Sequence, residues 1–408
     1  MATKRVSGGK VPNLRFPGFE GEWEEKSLGD LMEFKNGINA SKEQYGAGVK
    51  FINVLDILNN DYITYEKIVG KVDVDIDMLN KYPVKYGDIL FQRSSETREE
   101  VGTANVYLDK EHIATFGGFV IRGRKISEYD PIFLNKLLKT DAARDNITSK
   151  SGGSTRYNVG QDILASVTLK FPSLFEQKKI ADFLTLIDNR IQTQNKIIKR
   201  LETLIKAICQ NTINQNGDNK VLQKYRLRDV LVERVEANKN NYPIFSVSVS
   251  KGVINQIEFL GRSFAAKDTS NYNVAHYGDV IYTKSPTREF PYGIIKQSFI
   301  SDKVAVSPLY GIFTPKNIFL ANLLHYYFQN PINANNYLHS LVQKGAKNTI
   351  NISNQRFLDK EIYLPINASK IEGIAKLLNN VTKKIHTEKT LLRMLVKQKQ
   401  YFLQNLFI

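Results

Sequence analysis

The chain has 408 residues, 42% of them hydrophobic and 24% charged, which suits a soluble protein of about two to three domains. Its 57 Lys and Arg against 41 Asp and Glu leave a formal charge of +16. That excess points to a polyanionic partner, nucleic acid before membrane, because no long apolar run or basic amphipathic segment is present to enter lipid.

The single cysteine, Cys209, excludes an intrachain disulfide and a CxxC metal site, and a reduced cytoplasmic setting is expected. Residues 1–22 read as an N-terminal arm that carries Lys4, Arg5 and Lys10 without the apolar core of a signal peptide. Within it Pro12-Asn13-Leu14-Arg15-Phe16-Pro17-Gly18-Phe19 reads as extended chain packed on a first domain, residues 23–172. In that domain the runs 49–54, 88–91 and 119–121 are β-branched or aromatic and bounded by Gly, Asn and Asp, the pattern of strands. Apolar spacing predicts a short helix over 132–138.

Two loops of this domain are candidate binding elements. One follows Tyr86-Gly87-Asp88-Ile89-Leu90-Phe91 and carries Arg93, Ser94, Thr97 and Arg98; the other is the small-residue run 151–158 with Ser154, Thr155 and Arg156. Arg can read guanine O6 and N7 with two hydrogen bonds, and Ser and Thr can contact phosphate or base. Small residues let backbone N–H groups approach phosphates. The plainer alternative for both loops is a solvated turn.

A helix starts at Pro172-Ser173-Leu174-Phe175-Glu176, with Ser173 as N-cap and Glu176 completing a capping box. Along it Ile180, Leu184, Ile187, Ile191, Gln194, Ile198, Leu201, Ile205, Ile208 and Thr212 recur at alternating steps of four and three, the seam of a coiled coil. This spacer helix is assigned to 173–215 and ends in the polar run 214–219. A second domain, 216–365, and a second helix, 366–408, follow. On that helix Ile374, Leu378, Val381, Ile385, Glu388, Leu392, Leu395, Lys399, Phe402 and Leu406 repeat the seam with a displacement of 194 (374 − 180). Ser369 and Glu372 are placed to cap it.

An apolar seam cannot stay in water, so each helix needs a partner, and its own copy, running antiparallel, is the nearest. At about 1.5 Å per residue the stretch 180–212 spans roughly 50 Å. The domains repeat as well. Tyr277-Gly278-Asp279-Val280-Ile281-Tyr282 echoes the first Tyr-Gly-Asp strand at a shift of 191 (277 − 86), and the run 152–172 realigns on 345–365 at a shift of 193. Strands are expected again at 244–247, 280–282 and 304–306, the last matched with 119–121, and a helix over 318–328. The second copies of the loops carry Lys284, Ser285, Thr287 and Arg288, and Lys344, Lys347 and Asn348. The fold class is therefore α+β: two similar globular domains separated by two long antiparallel coiled-coil helices, a pseudo-two-fold internal repeat. Because the framework repeats while the loop side chains differ, two related domains are expected to read two different short sequences.

Catalytic motifs are missing from the reading. There is no phosphate-binding loop of the P-loop type and no amino-methyltransferase signature, Gln329-Asn330-Pro331-Ile332 being the nearest approach. His112, His276, His325, His339 and His386 show no metal-ligand spacing, so no metal site is expected.

Four stretches carry a resemblance: Leu14-Arg15-Phe16-Pro17-Gly18-Phe19-Glu20-Gly21-Glu22-Trp23; the helix start Phe171-Pro172-Ser173-Leu174-Phe175-Glu176-Gln177-Lys178-Lys179-Ile180-Ala181; Ile374-Ala375-Lys376-Leu377-Leu378; and Leu403-Gln404-Asn405-Leu406-Phe407-Ile408. With them the chain resembles the DNA-specificity (S) subunits of type I restriction-modification enzymes. The start of the second helix, Pro365-Ile366-Asn367-Ala368-Ser369-Lys370, departs from the pattern by lacking the Glu-Gln pair. The resemblance implies a non-catalytic subunit of a system that defends the cell against foreign DNA. Its two target-recognition domains would each bind half of a split site in double-stranded DNA. Its helices would set the spacing and dock two methyltransferase (M) subunits, with restriction (R) subunits joining through those. It implies no cofactor on this chain; S-adenosylmethionine, ATP and Mg2+ would sit on the partners. A stand-alone nucleic-acid enzyme or a two-domain scaffold are the alternatives.

Overall fold

The structure, a computed structural model, describes residues 10–153, 155–213, 222–263, 265–344 and 350–408. It divides into two compact units: unit 1 runs to Thr193 and takes in Leu392–Ile408, and unit 2 is Gln194–Leu391. The long helices Leu174–Thr212 and Ala368–Asn405 are each shared between the units, whereas the sequence segments 173–215 and 366–408 set them apart from the domains.

Each unit is built on the same sheet. In unit 1, β1 (Met32–Asn36), β2 (Ile89–Gln92), β3 (Ala104–Val106) and β4 (Val120–Lys125) lie in the order β1-β4-β2-β3, all antiparallel. In unit 2, β5 (Leu231–Glu233), β6 (Val280–Tyr282), β7 (Ile295–Gln297) and β8 (Gly311–Pro315) lie in the order β5-β8-β6-β7, again antiparallel. A two-stranded ribbon closes each unit before its long helix, Glu24–Ser27 on Thr168–Phe171 and Leu222–Arg226 on Glu361–Pro365. Ile89, Phe91 and Val106 pack on Phe133, Leu134 and Leu137 of the helix Pro131–Leu137, and Val280, Tyr282 and Ile295 pack on Leu320, Leu324 and Phe328 of Ile318–Phe328. Full burial of one such side chain contributes about 1.5–3 kcal/mol.

The sheet order corrects one pairing of the repeat. The counterpart of β4 is β8, not the run 304–306; Val304–Val306 pairs with Asn273–Ala275, as Ala114 bridges Val84 in unit 1. The shift of 185 (304 − 119) already stood apart from the 191–194 found elsewhere, and hydrophobicity alone had made the two runs look alike.

The Tyr-Gly-Asp motif is a structural turn. Gly87 and Gly278 sit at φ 88° and 90°, where a side chain is strained, and the Asp that follows accepts a 2.8 Å bond from the backbone N–H three residues back, Lys85 in one unit and His276 in the other. The same carboxylates are buried ion-pair partners, Asp88 of Arg124 on β4 at 2.7 Å and Asp279 of Arg234, next to β5, at 2.7 Å.

Both expected capping boxes are altered. Ser173 Oγ accepts from the Glu176 N–H at 3.3 Å, but the Glu176 carboxylate turns to Arg15, gripped at 2.8 and 2.7 Å. The arm is thereby tied to the long helices of unit 1: Leu14 N–H donates to Asn405 O at 2.9 Å and Phe16 stacks edge-on against Phe183. At the second helix the cap is Asn367, whose Oδ1 accepts from Lys370 N–H at 3.0 Å; Ser369 lies inside the helix and Glu372 pairs with Lys376.

Within each unit the helix segments run antiparallel. In unit 1 Phe183 meets Phe402 and Asp188 pairs with Lys399 at 2.6 Å; in unit 2 Gln194 meets Glu388, while Cys209 shares a core with Leu378. Every seam residue from Ile180 to Ile205 and from Ile374 to Leu395 is buried or half-buried. Among the described residues no helix is long and apolar enough to cross a membrane.

Candidate nucleic-acid interface

In unit 1 the two candidate loops are brought side by side. Ser94–Ser95 pairs antiparallel with Tyr157–Asn158, and Ser94 Oγ donates to Asn158 Oδ1 at 2.5 Å. Sixty residues of intervening chain conceal this neighbourhood from any reading of local spacing. Arg93 is pinned by its backbone, its N–H on Phe119 O at 2.9 Å and its carbonyl accepting from Val159 N–H at 3.0 Å, while its guanidinium stays exposed and donates to Gly118 O at 3.4 Å. It lines a shallow concavity of ≈ 410 Å³ together with Asn36, Gly152, Gly153, Asn158 and Gln161.

Thr97, Thr155 and Arg156 are exposed on these same two loops. Arg98 is partly committed to the fold, its Nε donating to Thr148 O at 3.2 Å. Ser154 lies outside the described residues. The loop after Arg93 is braced from below by Arg144, which donates to Glu99 O at 2.9 Å and Val101 O at 2.6 Å; burial holds its pKa below the usual value. Asn36, Phe119 and Gln161 were not singled out from the sequence; Gln161 lies just beyond the second loop, while Asn36 and Phe119 come from segments far from either motif, and only their place in the fold marks them.

Unit 2 presents the first loop in a different pose. Lys284 follows β6 as Arg93 follows β2, but its backbone is left-handed at φ 55° and its side chain is half-buried. Burial lowers the pKa of its ammonium, opposed by the nearby Glu233 carboxylate. The buried Thr283 hydroxyl fixes the turn by accepting from Ile294 N–H at 3.0 Å, and Thr287 Oγ1 accepts from Phe290 N–H at 3.2 Å. Ser285, Thr287 and Arg288 are exposed. Lys344 lies in the strand Gln343–Lys344, paired with Ile350–Asn351; its side chain, and Lys347 and Asn348, lie outside the described residues.

Among the described residues no cluster of three or more His, Cys, Asp or Glu could hold a metal. His325 is buried as a neutral ring, its Nδ1 accepting from Gln297 N–H at 3.0 Å, and His276 bonds Glu236 at 2.7 Å. Each belongs to the packing of unit 2.

Residues 20–203 match the family model described as the type I restriction modification DNA specificity domain. Over those residues the chain is similar to that domain. The matched stretch takes in most of unit 1 and agrees with the resemblance read from the sequence. The chain is 27% identical over 209 residues to the putative type I restriction enzyme MjaX specificity subunit of Methanocaldococcus jannaschii, a match covering 50% of this chain and 46% of that protein. It is 29% identical over 196 residues to the type I restriction enzyme HindI specificity subunit of Haemophilus influenzae, covering 46% and 40%. The chain thus spans about half the length of the curated relatives it matches. Its fold extends the likeness: the crystal structure of the type I restriction-modification S subunit from M. genitalium superposes with a TM-score of 0.60 at 13% identity, over 98% of this chain and 99% of that one.

Proposed function

We propose that this chain is the recognition subunit of a type I restriction-modification complex in the cytoplasm. Unit 1 reads one half of a bipartite site in double-stranded DNA and unit 2 the other. The long helices set the spacing of the half-sites and dock two M subunits, and R subunits join through those. S-adenosylmethionine, ATP and Mg2+ bind on these partners, and this chain contributes recognition without catalysis. The observation that carries the reading is that one sheet order, β1-β4-β2-β3, recurs as β5-β8-β6-β7 with an exposed loop after the equivalent strand and different side chains on it.

Sequencing methylated sites in cells that express the chain with its methyltransferase tests this directly: a split motif is expected, and no chain-dependent methylation overturns it. Replacing residues 217–365 with those of a relative should change one half of the motif and leave the other. Arg93→Ala should weaken the unit 1 half alone, by about 1–3 kcal/mol if a bidentate base contact is lost, whereas equal weakening on all DNA reassigns Arg93 to phosphate binding.

A further inference from the structure

Phe119 stands 65% exposed beside Arg93, on a turn braced by backbone hydrogen bonds. Its carbonyl accepts from Arg93 N–H at 2.9 Å, and Val120 N–H closes the turn on Gly117 O at 2.9 Å. Next to it Ile38 N–H donates to Phe116 O at 2.9 Å and Gly37 N–H to Val120 O at 3.2 Å. The approach is so close that a Cβ on Gly37 would lie 2.2 Å from Gly117 O, and one on Gly118 would lie 1.9 Å from Asn39 Oδ1. Glycine is what allows this contact, and the contact fixes the backbone that carries the ring.

A single exposed aromatic is ordinary on a protein surface. An aromatic on a locked turn, next to an exposed guanidinium at the rim of a concavity, is the arrangement that suits a base stack: cation for the base edge or phosphate, ring for the base face. At the equivalent place unit 2 presents an aliphatic side chain in place of a ring. Ile121 faces Phe91 on β2 as Gly311 faces Tyr282 on β6, so the counterpart of Phe119 is Leu309, which is 72% exposed but aliphatic.

Resting on the recognition role above, we propose that unit 1 inserts the Phe119 ring at a base step of its half-site, adjacent to the base contacted by Arg93, and that unit 2, whose counterpart Leu309 has no ring, reads its half without a stacked insertion. The distortion of the duplex is then one-sided, and the sequence preference at that step reflects ease of unstacking in addition to hydrogen bonding.

The test uses the complex with its methyltransferase subunits and duplexes carrying the methylated motif, with 2-aminopurine placed at each position in turn. Binding is expected to raise fluorescence at one step of the unit 1 half-site and nowhere in the other half. Phe119→Ala should abolish that signal and weaken binding by about tenfold, the loss of one stacked base, and Phe119→Tyr, which keeps a ring, should retain both. Specific binding with undisturbed stacking in both halves overturns the insertion and leaves the recognition role standing, as does an unchanged signal in Phe119→Ala. Absence of any motif overturns both.

Discussion

Lys284 occupies a backbone conformation that costs an L residue about 1–2 kcal/mol, and the buried Thr283 and the close approach of Gly293, whose added Cβ would lie 2.9 Å from Lys284 N, hold it there. Lys284→Gly should raise the melting temperature while weakening recognition of the unit 2 half-site; a rise with recognition untouched would confine Lys284 to a structural partnership with Glu233. His325 gives a pH prediction. Burial, assisted by Lys296, pushes its pKa down to about 3, so the folded chain keeps the ring neutral while the unfolded chain takes up a proton near pH 6.5. The unfolded state binds more protons between those values, and stability falls as pH drops from 6.5 toward 3. His325→Gln should flatten that decline in thermal denaturation followed across the range. The loops that hold Arg93 and Arg156 were visible as motifs in the sequence, since Gly, Ser and Arg at repeated places report local chemistry. Their adjacency, and the part of Phe119, were not, because tertiary pairing alone sets Ser94 against Asn158.

At the level of elements, the helices were the most legible feature, since a 3.5-residue period needs no tertiary information to be seen. Their polar interruptions were legible only as anomalies. Lys399 sits in the apolar register because Asp188, beside the seam, holds it at 2.6 Å and also binds Lys136 of the Pro131–Leu137 helix; burial opposes ionisation of Asp188, but the two lysines outweigh it and keep the carboxyl low. Gln194 and Glu388 do meet: Gln194 Nε2 donates to the Glu388 carboxylate and to its backbone O at 3.3 Å, and Lys384 pairs with the other carboxylate oxygen at 2.6 Å. Lys384, then Gln194, hold the Glu388 carboxyl below its usual range, so this contribution is present above the unfolded pKa and lost as pH falls through the folded one. Gln194→Leu alone should lower the melting temperature by leaving the carboxylate short of a partner. Gln194→Leu with Glu388→Leu should raise it but speed hydrogen exchange along the helices, as register loses its polar check. A double variant that melts lower than the wild type counts against the register role.

For the molecule as a whole, the repeat was readable because shifts of 191–194 residues recur across motifs of different kinds. The division into units was not, because contact, not sequence order, groups Leu392–Ile408 with the residues up to Thr193. Phe407 packs on Phe133 at 5.3 Å, Leu406 is buried in the same core as Trp23 and Phe171, and Lys399 reaches Asp188. Truncation after Leu391 should therefore expose the core of unit 1 to protease while unit 2 stays resistant; equal sensitivity of both would show that the units do not fold separately. Unit 2 is an uninterrupted stretch set inside unit 1. On the ribosome this inverts the order of completion: the second recognition unit has all its residues before the first does, and the first stays open, its buried face waiting on residues 392–408, throughout the translation of the other.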